Sequence, residues 1–185
     1  MEYPISCVLG ARGSGKTLFM TSLAYAYHKE GKKIYANYHL IDIPYKHITF
    51  EELAALPAEL NDAIVLLDEI QIGADAYEVF KKSNKMITVF ATQLRKRKIT
   101  LYYSTQVFTM VTKRLRQQTN YIIQCDPIQA GITKISIFDR DKPFMDQYIK
   151  TFNFDGRPYF NKYDTNEVIT FSENSITEGN EIEFD

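Results

Sequence analysis

The sequence predicts an α/β fold: a central, mostly parallel sheet flanked by helices, with antiparallel edge strands supplied by the C-terminal third. Three observations carry this. Short apolar runs alternate with helical patterns along the first two-thirds of the chain. The run Ala63-Ile64-Val65-Leu66-Leu67 is apolar without a break, as a strand buried on both faces of a parallel sheet should be. The run Ile132–Phe138 instead alternates apolar and polar residues, which marks a half-exposed strand, antiparallel at a sheet edge.

The elements follow in order. Pro4–Leu9 reads as a buried strand. Leu18–Lys29 reads as a helix, with Leu18, Phe19, Met20, Leu23, Ala24 and Tyr27 apolar and Gly31 just beyond its end. Lys32–Asn37 reads as a second strand. Thr49-Phe50-Glu51-Glu52 has the form of a capping box before a short helix through Leu56, stopped by Pro57. After the Ala63–Leu67 strand, Lys85–Arg97 is amphipathic, with Ile87, Phe90, Ala91 and Leu94 on one face. Ile99–Thr105 is rich in β-branched and aromatic residues and reads as a strand, and Val107–Gln118 as a helix. Tyr121–Cys125 is the next strand, closed by Asp126-Pro127. A short helix near Pro143–Lys150 and further extended pieces are expected after it. Residues 1–171 then form a single domain, and residues 172–185 form an acidic tail without a basic residue, expected to be flexible.

Composition bounds the function. The chain has 185 residues, enough for one domain with a real core, and its 45% hydrophobic and 24% charged residues suit a globular protein. No apolar run is long enough to span a membrane, and the first strand begins too early for a signal peptide. Cys7 and Cys125 fall in buried strands and read as small core residues of a reducing compartment. His28, His39 and His47 lack the spacing of metal ligands. The formal net charge is −1, so contact with nucleic acid would have to come from local basic clusters.

The chemistry starts at Gly10-Ala11-Arg12-Gly13-Ser14-Gly15-Lys16-Thr17, which fits G-x-x-x-x-G-K-[ST] at every fixed position and lies between a strand and a helix. The glycines let backbone N–H groups approach phosphate oxygens, and the helix that follows turns its positive end to the same anion. Lys16 neutralises the β- and γ-phosphates, and the Thr17 hydroxyl ligates Mg²⁺. The pattern therefore predicts ATP and Mg²⁺ as cofactors. A second motif, Asp68-Glu69, ends the apolar strand. Asp68 is placed to hold Mg²⁺ and Glu69 to polarise the attacking water. An acid that activates water favours hydrolysis over transfer to a metabolite. Gln106, at the end of the Ile99–Thr105 strand, can donate to a γ-phosphate and accept from water, which suits a sensor.

Together Gly10–Thr17, Asp68-Glu69 and Thr105-Gln106 resemble the FtsK–HerA superfamily of ring-forming DNA-pumping ATPases, in a P-loop NTPase fold of RecA/ASCE type. The chain looks most like the small genome-packaging ATPases of icosahedral viruses with internal membranes, archaeal viruses included. The likeness covers about the first two-thirds, and Phe160–Thr165 is similar to a late segment of archaeal members. The Zot-like assembly ATPases of filamentous phages share the layout. They also carry a basic segment like Leu94-Arg95-Lys96-Arg97-Lys98, but usually with a membrane span.

The resemblance implies a pentameric or hexameric homo-oligomeric ring acting on double-stranded DNA without regard to sequence. It also implies a capsid or internal-membrane vertex protein as partner, and residence in the host cytoplasm or with the virion. It implies an arginine finger from the neighbouring subunit; Arg95 and Arg97 are the favoured candidates, with Arg114 and Arg116 behind them. Lys113-Arg114-Leu115-Arg116 equally suits DNA phosphates, and Lys81, Lys82 and Lys85 suit a pore loop. Two other readings stay open: a nucleotide-dependent kinase, and an ATP-gated assembly protein with little turnover.

Overall fold

The computed structural model describes residues 3–70, 86–140 and 149–164. Its sheet has eight strands: β1 (Ile5–Leu9), β2 (Lys33–Ala36), β3 (Lys46–His47), β4 (Ala63–Leu67), β5 (Ile99–Thr105), β6 (Tyr121–Gln129), β7 (Ile132–Asp139) and β8 (Lys150–Asp155). They lie in the order β3-β2-β4-β5-β1-β6-β7-β8. All pairs from β3 to β6 are parallel, and β7 and β8 are antiparallel. The helices are α1 (Lys16–Lys29), α2 (Phe50–Ala55), α3 (Met86–Lys96) and α4 (Lys113–Gln118), with 3₁₀ turns at Phe108–Met110 and Arg157–Tyr159. No helix among the described residues is long and apolar enough to cross a membrane.

The core divides by the period-two alternation of the central strands. One face buries Ile5, Cys7, Val65, Leu67, Leu101 and Tyr103 against Phe90 and Leu94 of α3 and Leu115 of α4. The other buries Val8, Ile64, Leu66, Tyr102 and Ile123 under Phe19, Met20 and Ala24 of α1. Each fully buried aliphatic side chain contributes about 1.5–3 kcal/mol relative to exposure. All five residues of β4 and all seven of β5 are buried, which is why their sequence shows no polar alternation.

The short helix α2 forms as its sequence expects. Glu52 N–H donates to Thr49 Oγ1 at 3.2 Å, and Thr49 N–H donates to Glu52 Oε2 at 2.7 Å. Leu56 ends it in the left-handed region at φ 51°.

Four expectations are corrected. Val107–Gln118 is not one helix: Val111 is extended, and Thr112 starts α4 afresh by accepting from Leu115 N–H at 3.3 Å. A threonine N-cap satisfies a helix end better than a β-branched interior residue fills one. The strand Tyr121–Cys125 does not close at Asp126-Pro127 but runs on to Gln129. Its parallel partner stops at Leu9, opposite Gln124, and a bulge between Pro127 and Gln129 absorbs the proline in the hairpin with β7. β7 is antiparallel as expected, but β8 covers its outer side. Lys150 opens β8 rather than closing a helix; residues 143–148 of the expected helix lie outside the described residues, as do residues 165–185.

Cys7 and Cys125 are both free and buried, and burial pushes each thiol up to about 12. Neither is expected to react with a maleimide in the native protein at about pH 8, and both are expected to react once the chain is unfolded in denaturant. Mass spectrometry of labelled protein checks this; rapid native labelling of either would contradict the packing.

Candidate nucleotide-binding site

The loop Gly10–Thr17 leaves the C-terminal end of β1, and its shape is set by two left-handed glycines, Gly13 at φ 75° and Gly15 at φ 88°. Gly15 is also the N-cap residue of α1, so the first N–H groups of that helix open towards the loop. Lys16 is only 5% exposed, and its Nζ donates to Ala11 O at 3.0 Å. Gly10 admits no side chain, because a Cβ there would stand 2.6 Å from Cys125 O of β6.

Asp68 follows β4 directly and is 9% exposed. Thr17 Oγ1 donates to its Oδ2 at 2.6 Å, so the two residues read as a Mg²⁺ site are already in contact. On the other carboxylate oxygen, Oδ1 accepts from Ser104 Oγ of β5 and from Glu69 N–H at 3.2 Å. Glu69 N–H also donates to Ser104 Oγ at 2.8 Å. The backbone of Asp68 is held separately: its N–H donates to Asn37 Oδ1 at 2.7 Å, and its carbonyl accepts from Asn37 Nδ2 at 3.0 Å. Glu69 sits at φ 50°, a left-handed conformation costing about 1 kcal/mol or more for a side chain of this size. The bonds on either side of it hold that turn.

A cleft of about 400 Å³ joins these parts, lined by Arg12, Lys16 and Thr17, by Glu69, and by residues of the C-terminal third. Gln106 follows β5, which lies between β4 and β1, so its backbone stands between the Asp68 turn and the loop. The structure thus brings together Gly10–Thr17, Asp68 and Glu69, with Gln106 at the adjoining strand end.

It does not bring the favoured arginines there. Arg97 and Arg95 lie at the opposite end of the sheet, where Asp62 N–H donates to Arg97 O at 2.8 Å at the start of β4. The seven residues of β5 separate them from Gln106, about 23 Å of strand. The Arg97 side chain is engaged locally, with its Nη1 donating to Leu56 O at 2.8 Å and Pro57 O at 2.7 Å, which ties down the end of α2. Arg116 lies on α4 with its guanidinium 5.9 Å from the centre of the Phe108 ring, and Arg114 lies two residues before it. Lys81, Lys82 and Lys85 lie outside the described residues.

Sequence reasoning missed Asn37, Ser104 and Thr133. The first two surround Asp68. Thr133 of β7 donates from Oγ1 to Ser14 O at 3.2 Å and stands where a Cβ on Gly15 would come within 2.8 Å of it. None of the three has a local motif. Only their positions at strand ends beside known motifs could have drawn attention.

The comparisons with known proteins agree with this fold. A family model described as an AAA domain matches residues 2–93. The chain is 34% identical over 78 residues to the uncharacterized protein ORF2 of Spiroplasma virus SpV1-R8A2 B, an alignment covering 40% of this chain and 23% of that protein. The chain therefore matches less than a quarter of that relative's length. Among solved structures, the N-terminal domain of zonular occludens toxin from Neisseria meningitidis superposes with a TM-score of 0.64 at 17% identity, covering 89% of this chain and 100% of that one. The genome packaging NTPase B204 of Sulfolobus turreted icosahedral virus 2, in complex with AMP, superposes with a TM-score of 0.56 at 13% identity, covering 80% and 96%. Identities this low establish a shared fold.

Asn37→Ala leaves the N–H and carbonyl of a buried turn without partners, which costs about 1–3 kcal/mol. We expect its urea unfolding midpoint to fall accordingly. An unchanged midpoint would mean that the Asp68 turn is held without Asn37.

Proposed function

We propose, from the premise that this chain is a P-loop NTPase, that it hydrolyses ATP and uses the energy to move double-stranded DNA, as the packaging motor of a virus. The observation that carries the hydrolytic reading is the Asp68 turn. It places Glu69 in the same cleft as Lys16 and Thr17, held in a strained conformation that only a fixed position justifies.

In this reading the loop N–H groups and Lys16 bind the phosphates. Thr17 Oγ1 and an Asp68 carboxylate oxygen are hard oxygen donors in contact with each other, which suits Mg²⁺ completed by phosphate and water. Mg²⁺, when bound, neutralises charge on the β- and γ-phosphates. Glu69 takes the proton from the attacking water, and Gln106 contacts the γ-phosphate from the neighbouring strand end. A small-molecule kinase has to exclude activated water, so a carboxylate placed to activate it favours hydrolysis.

A neighbour's arginine completes the site in a ring. The candidates are Arg95, Arg97, Arg114 and Arg116, of which Arg97 also ties down the end of α2 in its own subunit. Lys113, Arg114 and Arg116 also suit sequence-independent contact with DNA phosphates, since no acidic residue interrupts Val107–Gln118. The likeness in fold to a viral genome packaging NTPase supports the packaging reading, in which a capsid or internal-membrane vertex protein is the proposed partner. A second reading, a Zot-like virion assembly ATPase, is favoured by the superposition on the whole zonular occludens toxin domain. Both readings share the same ATP chemistry.

Steady-state phosphate release, with and without linear double-stranded DNA, tests the proposal. Lys16→Ala should abolish nucleotide binding and turnover. Glu69→Gln should still bind ATP but lose turnover by about 10²–10⁴-fold, the usual contribution of a general base. DNA of any sequence should stimulate the wild type, and added salt should remove that stimulation steeply. Normal turnover by Glu69→Gln would end the hydrolytic assignment of that residue. Turnover indifferent to DNA would favour the assembly reading.

A further inference from the structure

The strand order fixes how a nucleotide lies in the cleft. The phosphate loop follows β1. Glu69 follows β4, two strands to one side, and the β6–β7 hairpin lies on the other. At about 4.8 Å per strand, the cleft runs about 19 Å along the sheet end from β4 to β7. With the terminal phosphate directed at Glu69, the base must lie towards the hairpin.

That end of the cleft is lined by Leu18, Pro127, Gln129, Ala130, Gly131 and Phe160. Phe160 is 47% exposed, a large apolar ring left half in water at the mouth of the cleft. It is held in place from several sides. Gly131, at φ 76°, has no side chain, and a Cβ there would stand 2.6 Å from Phe160 Cζ. Gly156 N–H donates to Gly131 O at 2.7 Å, and Phe160 N–H to Arg157 O at 3.3 Å. Beyond the ring the chain is anchored again: Ile41 N–H donates to Lys162 O at 3.0 Å, and Tyr163 pairs with Leu40. The ring therefore needs no ordering when a ligand arrives.

Little at this end can tell one purine from another. Thr133 Oγ1 is committed to Ser14 O. Tyr163, which also lines the cleft, is tied through its backbone to Leu40, beyond β2 on the Asp68 side of the sheet. Among the described residues the Gln129 side chain remains, and its amide both donates and accepts, so it suits either purine edge. Aromatic stacking is indifferent to base identity, because every base has a π-face. Strong discrimination needs buried hydrogen-bonding groups matched to one edge.

We infer that Phe160, backed by Gly131 and flanked by Pro127 and Ala130, is the platform on which the nucleotide's purine stacks, and that this site takes ATP and GTP alike. The inference rests on the nucleotide-binding reading above and extends it to substrate class.

Calorimetric affinities for ATP, GTP and inorganic tripolyphosphate, each with Mg²⁺, separate the two. In the wild type ATP and GTP should bind comparably. Phe160→Ala should weaken both by about tenfold and leave tripolyphosphate, which has no base, unchanged; Phe160→Trp should restore the nucleotides. Unchanged nucleotide binding by Phe160→Ala would overturn the platform. An equal loss for tripolyphosphate would do the same, since the ring would then be supporting the loop. A preference for ATP over GTP of about tenfold or more would overturn the indifference to base. Lys16→Ala should weaken all three ligands. If it weakened none, the nucleotide site itself would be misplaced, whatever Phe160 does.

Discussion

The chemistry of this fold hangs on the hydrogen bonds around Asp68. Its carboxylate accepts from α1 through Thr17, from β5 through Ser104 and from the Glu69 N–H, while Asn37, just after β2, holds its backbone on both sides. Residues of α1 and β5 and of the turns after β2 and β4 meet at one residue because β2, β4 and β5 are neighbours that run the same way and end together. A buried carboxylate is tolerable only when its lone pairs are so occupied. The same bonds fix Glu69 at a backbone angle it would not choose alone, so one set of contacts offsets the cost of burying charge and positions the acid proposed to activate water.

The correction after β5 matters for how such a site would communicate. A continuous helix from Val107 would be a stiff lever attached to Gln106. The structure instead has a 3₁₀ turn, an extended Val111 and a new helix capped by Thr112. The basic residues of α4 are thus separated from Gln106 by a joint. In the proposed motor, displacement at Gln106 would reach Lys113 and Arg114 as a rotation about that joint. α4 packs on α3 through Leu115 against Leu94, so the two helices would respond together.

What the sequence made legible, and what it hid, divides along contact distance in the chain. The loop, the Asp68-Glu69 pair and the parallel strands were readable because the residues that act together lie side by side, or because burial on both faces leaves an unbroken apolar run. The capping box of α2 was readable for the same reason. Asn37 and Ser104 were not, since each lies more than 30 residues from Asp68 and neither belongs to a pattern. Arg97 shows the same limit: a basic residue before the Gln106 strand looks close to the site along the chain, yet within its own subunit it lies at the other end of that strand. Pro127 misled by rule: proline stops a strand paired on both sides, but β6 has already lost its parallel partner there, and a bulge accommodates it.

The two sides of the phosphate loop consequently do different work. On the β4–β5 side, polar groups converge on a carboxylate, and in the proposed reaction geometry there would govern reactivity. On the β6–β7 side the contacts are chiefly steric, joined by the hydrogen bond from Thr133 Oγ1 to Ser14 O. Cys125 O leaves no room at Gly10, Thr133 leaves none at Gly15, and Phe160 occupies the space above Gly131. The antiparallel strands that looked like an edge addition are therefore the wall against which the loop is pressed. A phosphate-binding loop depends on N–H groups held in advance of the ligand, because any ordering needed on binding subtracts from affinity. That preorganisation cannot come from the loop's own glycines, which are the least restrained residues in the chain. It has to be imposed from outside, and in this chain the C-terminal hairpin imposes it.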